Sequence, residues 1–492
     1  MRAVQKLGVV LCAGLLSACA DTGGIHSTLV PKPLSQLSLS HGLVNLSQAD
    51  SPKPQADWWR MLGDAQLDGL MDEVLAHSPT VALAAAHVRE AMGLGEVAGA
   101  SLKPRVDFKG KVSGMHWADN ALAPPTLGGA DTWFNFTNLS VSYALDIWGQ
   151  NRARALAATD LARARVESQR AAVLLLSSQM VQAYVFYAHD TTQLRVLTQW
   201  QASADKAVAI EQIRLAHGLT DADQVALAAL SAAQVAEQIA VLNGDLQLRV
   251  EQIAILTGRG VRTRIPLRPP SLLGESQPKF NWQVPHHVPI NLIGARPDVQ
   301  ARRWEVESAT QNIKVARTAF YPNINLAANL GSFAASGGFL SFLKSNSAFY
   351  SAGPSVSLPI FEGGRLRGQL RAQTARYDAA VAQYDQTLLT ALSQVAEALT
   401  QLQTLQARQA VLTLAVRAAD QEYAIAQRRY AAGLSNRLPV LAAQNRQCAL
   451  QLKQDEIDSQ VLANFAGLFA ALGGTVLPEA RPVPPMAGSL YE

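Results

Sequence analysis

Almost nothing in this 492-residue chain is arranged for catalysis. It holds no histidine cluster of the zinc type, no glycine-rich phosphate loop between a strand and a helix, and no Gly-x-Ser-x-Gly elbow. His286-His287 stands among prolines in a polar stretch and reads as a solvated pair rather than a metal site. No catalytic residue, metal or dissociable cofactor is therefore expected, and an enzyme is the first reading set aside. The chemistry that the sequence does point to is modification of one thiol. Cys19 follows Leu16-Ser17-Ala18, with small side chains at the two positions before the sulfur.

The residues before Cys19 say how it would be modified. Arg2 and Lys6 form a positive leader, and Leu7 to Leu16 is an apolar run too short to span a bilayer. That is the layout of a secretory signal, here residues 1–18. Its end resembles the lipobox of bacterial lipoproteins, which implies cleavage before Cys19 and acylation of the thiol and the new amine. Each buried CH₂ of an acyl chain adds roughly 0.8 kcal/mol of membrane affinity. Ala20 stands where an aspartate would signal inner-membrane retention, so the resemblance implies delivery to the outer membrane. With Cys12 lost and Cys19 acylated, Cys448 is alone and no internal disulfide can form.

Composition narrows the class further. Hydrophobic residues make up 49% and charged residues 16%, and no stretch reads as a transmembrane helix. The formal charge of +4 falls to +2 once Arg2 and Lys6 are removed, which gives no reason to expect a nucleic-acid partner. An aromatic content of 6% is low for a compact core.

The elements that must carry any function are written twice. Pro79-Thr80-Val81 opens a helical stretch that runs to Lys103-Pro104, and Pro297-Asp298-Val299 opens one that runs to Tyr321-Pro322. The offset is 218 at both ends (297 − 79 and 322 − 104). His217-Gly218-Leu219-Thr220 then matches Ala432-Gly433-Leu434-Ser435, and Leu256-Thr257-Gly258 matches Leu472-Gly473-Gly474. The chain divides accordingly into an N-terminal extended segment (19–65), a first repeat (66–261), a proline-rich link (262–290), a second repeat (291–474) and a tail (475–492).

Each repeat has two strand-like runs followed by very long helices. The runs lie near Val106 to Gly114, Phe134 to Leu145, Ile324 to Phe333 and Ser351 to Ile360. Leu139, Val141, Tyr143 and Leu145 interleave with Ser140, Ser142 and Ala144, and Val356, Leu358 and Ile360 with Ser355 and Ser357. One face is apolar and the other polar, as in a barrel whose outside meets lipid; a one-sided soluble sheet gives the same pattern. The loops around Ala118 to Asp131 and Ala334 to Ala348 are rich in Gly, Ser, Pro or Asn.

The stretches from Gln150 to about Leu215 and from Gly364 to about Arg429 contain no proline. A helix of about sixty-five residues reaches about 100 Å, a length no compact domain needs. One heptad-like seam runs through Val381, Tyr384, Leu388, Ala391, Val395, Ala398, Leu402 and Leu405. A second runs through Val225, Ala228, Ala232, Val235, Ile239, Leu242 and Leu246.

Three signatures complete the pattern: Asp57-Trp58-Trp59 followed by Leu67, Leu70 and Met71; Ala295-Arg296-Pro297-Asp298-Val299; and Leu358-Pro359-Ile360-Phe361-Glu362-Gly363-Gly364-Arg365. In this order along a duplicated chain, they make the sequence resemble the TolC-like outer-membrane factors. The resemblance is in particular to the lipoprotein branch that serves resistance-nodulation-division (RND) pumps. That resemblance implies a mainly α protein with a transmembrane β part: a trimeric 12-stranded β-barrel, four strands per chain, continued by a long α-helical periplasmic tunnel. It implies a passive exit duct for small toxic compounds, lipid-anchored in the outer membrane. A homotrimer would work with a periplasmic adaptor and an inner-membrane RND-type pump, with no cofactor beyond the lipid on Cys19. The alternatives are a duct for one-step (type I) protein secretion or a non-channel structural lipoprotein.

The resemblance also implies a periplasmic aperture where the turns at Gly218 and Gly433 fold the helices back. Acidic residues that often line it fall here on Pro439 and Ala442, with Gln224 and Leu227 as the first-repeat equivalents. A carboxylate ring is therefore missing. Closure is expected to rest on Leu438 and Leu441, helped by polar contacts among Asp221, Asp223, Asn436 and Arg437.

Overall fold

The computed structural model describes residues 22–33, 43–44, 57–119, 127–260, 266–270, 272, 288–334 and 338–475. In chain order the strands are β1 (Leu43–Val44), β2 (Arg105–His116), β3 (Asp131–Ala144), β4 (Val288–Pro289), β5 (Asn323–Ala334) and β6 (Ala348–Ser357). The α-helices are α1 (Ala65–His77), α2 (Pro79–Ala100), α3 (Gln150–Ala216), α4 (Ala222–Leu256), α5 (Ile290–Gly294), α6 (Pro297–Thr318), α7 (Arg365–Ala431) and α8 (Leu438–Ala471). The chain forms two compact units. One holds Met1–Pro31, His87–Val166 and Ala301–Asp385; the other holds Lys32–Ala86, Glu167–Gln300 and Gln386–Glu492.

The first unit is built on a four-stranded antiparallel sheet of order β2-β3-β5-β6. Each repeat supplies one hairpin, and β3 pairs with β5 across the repeats. β6 ends at Ser357, short of the expected Ile360, because its partner β5 begins at Asn323, opposite Ser357, and offers no further backbone to pair with. Beside the sheet, Ala316, Phe320 and Leu370 form a core that takes in Ile25, Ile313 and Leu366. Ser308 Oγ donates to the Ala157 carbonyl at 2.8 Å. The Arg163 guanidinium lies 4.7 Å above the Trp304 ring, adding a cation–π contact between α3 of the first repeat and α6 of the second.

The second unit is helical, with a short parallel pairing of β1 and β4. Within the segment expected to be extended, Trp58–Leu62 forms a 3₁₀ turn that buries Trp58, Trp59 and Leu62. Trp58 lies 5.6 Å from Phe469 on α8, and its Nε1 donates to Ser177 Oγ on α3. Asp64 caps α1 by accepting from Gln66 N and Leu67 N, and Tyr184 on α3 donates to the same carboxylate at 3.0 Å. Burial, and then the nearby Asp64 charge, push the Tyr184 hydroxyl up, so it stays protonated as that donor. The tryptophans and the cap together fasten α1 to the long helices.

Arg296 is the second repeat's clasp. Its guanidinium is buried, donating to the Ala471 carbonyl at 2.9 Å, to Gln394 Oε1 at 2.8 Å and to Asp298 at 2.8 and 3.1 Å. This ties the start of α6 to the end of α8 and to α7. The glycines that close each repeat, Gly258 and Gly473, have φ of +77° and +72°. A Cβ on Gly258 would lie 2.9 Å from the His77 carbonyl oxygen, and one on Gly473 would lie 3.3 Å from Arg296 Cα. Each repeat therefore ends against the residues just before its own opening proline.

α3 and α7 run 67 residues each. Along α7, Val381, Leu388, Ala391, Val395, Ala398, Leu402 and Leu405 are buried, with Tyr384 half-buried. On α4, Ala232, Val235 and Leu242 are buried, and Val225, Ala228, Ile239 and Leu246 half-buried. The expectation that no stretch has the character of a membrane-spanning helix needs correction. α3 and α4 hold windows of mean hydropathy 1.4 and 1.7, long and apolar enough by composition to cross a membrane. Within the single chain, 56% of the α3 window is buried and 17% of the α4 window.

Candidate functional site

The sheet separates two faces by register. On one face Phe108, Leu139, Leu330 and Tyr350 stand in line across the four strands, as do Tyr143, Leu326 and Pro354 across three. These side chains are exposed or half-exposed in the single chain. On the other face the lines read Asp107, Ser140, Asn329, Ser351 and Ser142, Ala327, Gly353. Asn329 Nδ2 donates to Ser351 Oγ, and Asn138 Nδ2 to Asn329 Oδ1, both at 3.2 Å. An exposed apolar face backed by a hydrogen-bonded polar one fits the wall of a membrane barrel with a wet interior.

Aromatic pairs mark both ends of that wall. Trp133 meets Phe339 edge-on at 5.2 Å beside the loops. Trp148 stacks on Tyr321 at 4.9 Å at the helical end and donates to the Pro322 carbonyl at 2.9 Å. Such girdles suit the two headgroup regions, where a ring is apolar and its polar tip stays hydrated. Between β3 and α3 the chain turns at Asp146, a non-glycine residue with φ of +41°. Burial alone would raise its pKa, but hydrogen bonds from Asn151 N at 2.8 Å and Arg152 N at 3.0 Å outweigh burial and lower it.

The turns at the far ends of the helices are built alike. Gly218 has φ of +72° and Gly433 +70°, and the following residues close back with Leu219 N on Arg214 O at 2.8 Å and Leu434 N on Arg429 O at 2.9 Å. These are glycine-centred Schellman caps, the reason for the Gly-Leu pair in each repeat. Asp221 caps α4 by accepting from Gln224 N at 3.0 Å, and Asn436 Oδ1 accepts from Leu438 N at 3.1 Å. Asp223 sits in the first turn of α4, and Pro439 near the start of α8. Gln224, Leu227, Arg437, Pro439 and Ala442 are exposed, Leu438 is half-buried, and Leu441 is buried inside the chain. Among the described residues no ion pair joins Asp221, Asp223 and Arg437. The caps hold each turn in shape, and the side chains of Asp223 and Arg437 stay exposed in the single chain. Cys19 and His286-His287 lie outside the described residues.

Two features were not foreseen from sequence. The Arg296 clasp could have been sought, since an arginine beside a helix-opening proline has three hydrogen-bonding nitrogens to satisfy. The four phenylalanines on the polar side of the sheet, Phe134, Phe136, Phe333 and Phe349, carried one signal: Phe134 and Phe136 fall in the phase of Ser140 and Ser142.

The chain matches a family model described as "Outer membrane efflux protein" over residues 70–259 and 288–474. It is 32% identical over 375 residues to the fusaric acid resistance protein FusA of Burkholderia cepacia, covering 75% of this chain and 69% of that one. It is 28% identical to the multidrug resistance outer membrane protein MdtP of Escherichia coli K12, covering 94% of each. The crystal structure of the outer membrane protein VceC of Vibrio cholerae superposes with a TM-score of 0.76 at 31% identity, covering 86% of this chain and all of that one. With more than half of its length matched in two blocks, one per repeat, the chain belongs to the outer membrane efflux protein family.

Proposed function

We propose that three copies of this chain close a twelve-stranded barrel in the outer membrane and form the exit duct of a tripartite efflux pump, conducting small toxic compounds passively. The observation that carries this reading is the open four-stranded sheet with one lipid-type face. Edges β2 and β6 would leave backbone groups unpaired in hydrocarbon, at several kcal/mol each. Four strands are also half of the eight that the smallest barrels use. A trimer closes the wall without a free edge. An exposed heptad line on α4, with Leu227, Val241, Leu248 and Ile255, offers the helices a matching seam with their neighbours.

In this reading the inner-membrane pump, of RND type, and a periplasmic adaptor deliver the cargo, and the duct itself does no work. Acylation of Cys19 fits the path of the N-terminal strap. Ile25 enters the core with Phe320 and Leu370, while Ser27 Oγ donates to Asp378 at 2.7 Å and Leu29 N to the same carboxylate at 3.3 Å. The strap thus runs along α7 with its N-terminal end beside Arg367, near the strands. Cys19 is four residues upstream of Gly23, a reach of at most about 14 Å. That keeps an acyl chain within reach of the membrane edge.

Deleting the gene in a strain without paralogous ducts is expected to raise sensitivity to some antibiotics, dyes, solvents or metals while leaving their entry rate unchanged. An unaltered sensitivity profile across those classes would count against efflux.

A further inference from the structure

The polar face of the sheet is interrupted by aromatic rings. Phe134 meets Phe333 edge-on at 5.4 Å, and Phe136 stacks on Phe349 at 6.2 Å with ring planes 20° apart. Phe333 is opposite Phe136 in the ladder, so the contacts run diagonally across β3, β5 and β6 as one strip. Gly331 makes the strip possible. A Cβ there would lie 2.0 Å from the Thr137 carbonyl oxygen and 3.0 Å from the Phe349 ring.

Charge on this face is net positive. β2 contributes Arg105, Lys109 and Lys111 against a single anion, Asp107, and Arg105 already pairs with Asp107 at 2.7 Å. The in-phase positions of β3, β5 and β6 add no charged residue. Lys111 Nζ stands 5.6 Å from the Phe134 ring centre, at the end of the strip. Phenyl rings on a polar wall, with the Lys111 ammonium over the ring at one end, form a surface for a flat ring that carries a negative charge.

We propose that this strip is a stacking site for small planar aromatic anions as they leave the duct. This rests on the duct reading, which makes the polar face the barrel lumen and sets the strip toward the loop end of the strands. Three copies would place three strips around one lumen. The site adds a preference among cargoes without adding a gate.

The full-length protein in mild detergent is titrated with 2-naphthoate, followed by its fluorescence, with octanoate as competitor and 2-naphthylmethylamine as the cationic counterpart. The same preparation in a planar bilayer reports conductance and its blockade by each compound. Wild type is expected to prefer 2-naphthoate over octanoate and over the cation by about tenfold, the scale of one or two aromatic contacts. The double variant Phe136→Ala/Phe333→Ala should lose the preference for the ring, and Lys111→Gln should narrow the preference for the anion. Phe136→Leu/Phe333→Leu, which keeps apolar bulk without a ring face, should behave as the alanine variant does if the latter does not assemble. A conducting wild type that binds octanoate as well as 2-naphthoate would overturn the proposal and leave the duct intact, as would ring variants that keep the preference. Absence of conductance in the wild type and in both turn variants, Asp221→Ala/Asp223→Ala/Arg437→Ala and Leu438→Ala/Leu441→Ala, would overturn the duct reading itself.

Discussion

Four glycines with positive φ allow one perturbation to be compared in two settings. Gly218 and Gly433 sit at the helical turns, with open space where a Cβ would go. Alanine there costs only the left-handed backbone conformation, about 1–2 kcal/mol. Gly258 has a similar φ of +77°, yet its Cβ would press on the His77 carbonyl oxygen at 2.9 Å and lie 3.7 Å from Pro79. A backbone carbonyl cannot swing aside as a side chain can, so overpacking adds about 1–3 kcal/mol. Gly258→Ala should therefore cost about 2–5 kcal/mol, the sum of both effects. Gly473→Ala should fall between, since its nearest neighbour is Arg296 Cα at 3.3 Å. Thermal loss of helical circular dichroism in detergent should rank the midpoints as wild type, then the two turn variants together, then Gly473→Ala, and Gly258→Ala lowest. If Gly258→Ala melts with Gly218→Ala, the closing glycine of the first repeat is not held by contact with the helix start.

Cys19→Ser should abolish incorporation of radiolabelled palmitate while the trimer, sized by light scattering, persists; equal labelling of both forms would reject lipidation. Replacing Asp221, Asp223 and Arg437 together by alanine should raise single-channel conductance. If that variant and Leu438→Ala/Leu441→Ala both stay at the wild-type level, closure does not rest on these turns. Asp146→Asn should lower stability by about 1 kcal/mol, the scale of a lost capping contact, near neutral pH. Because the folded-state pKa of Asp146 is lowered, the carboxylate's contribution is complete above its unfolded value of about 3.9 and is lost as pH falls through the folded value. Melting curves of the two proteins should therefore converge in acid, and a gap that does not narrow as the pH falls would refute the assignment.

Much of this protein was legible in the sequence because its signals are local or periodic. Proline-free runs marked α3 and α7, and heptad-like seams marked α7 and α4, since a helix needs only its own residues to satisfy its backbone. Alternation around Leu139 and Val141 marked β3, and Gly-Leu pairs marked the turns, because only glycine takes the left-handed cap without cost. The duplication exposed the architecture through offsets alone. What those signals leave open is register. Alternation says that two residues share a face of one strand, but not which residues on other strands stand beside them. Only pairing Phe136 with Phe333, and Asn138 with Gly331, brings four scattered phenylalanines into one strip. The same holds for Arg296, whose partners Gln394 and Ala471 lie 98 and 175 residues away. Sequence determined which elements exist and where they turn, because those follow from backbone satisfaction within a segment. Tertiary structure decided which side chains meet, because that depends on contacts between segments that no single stretch of chain encodes.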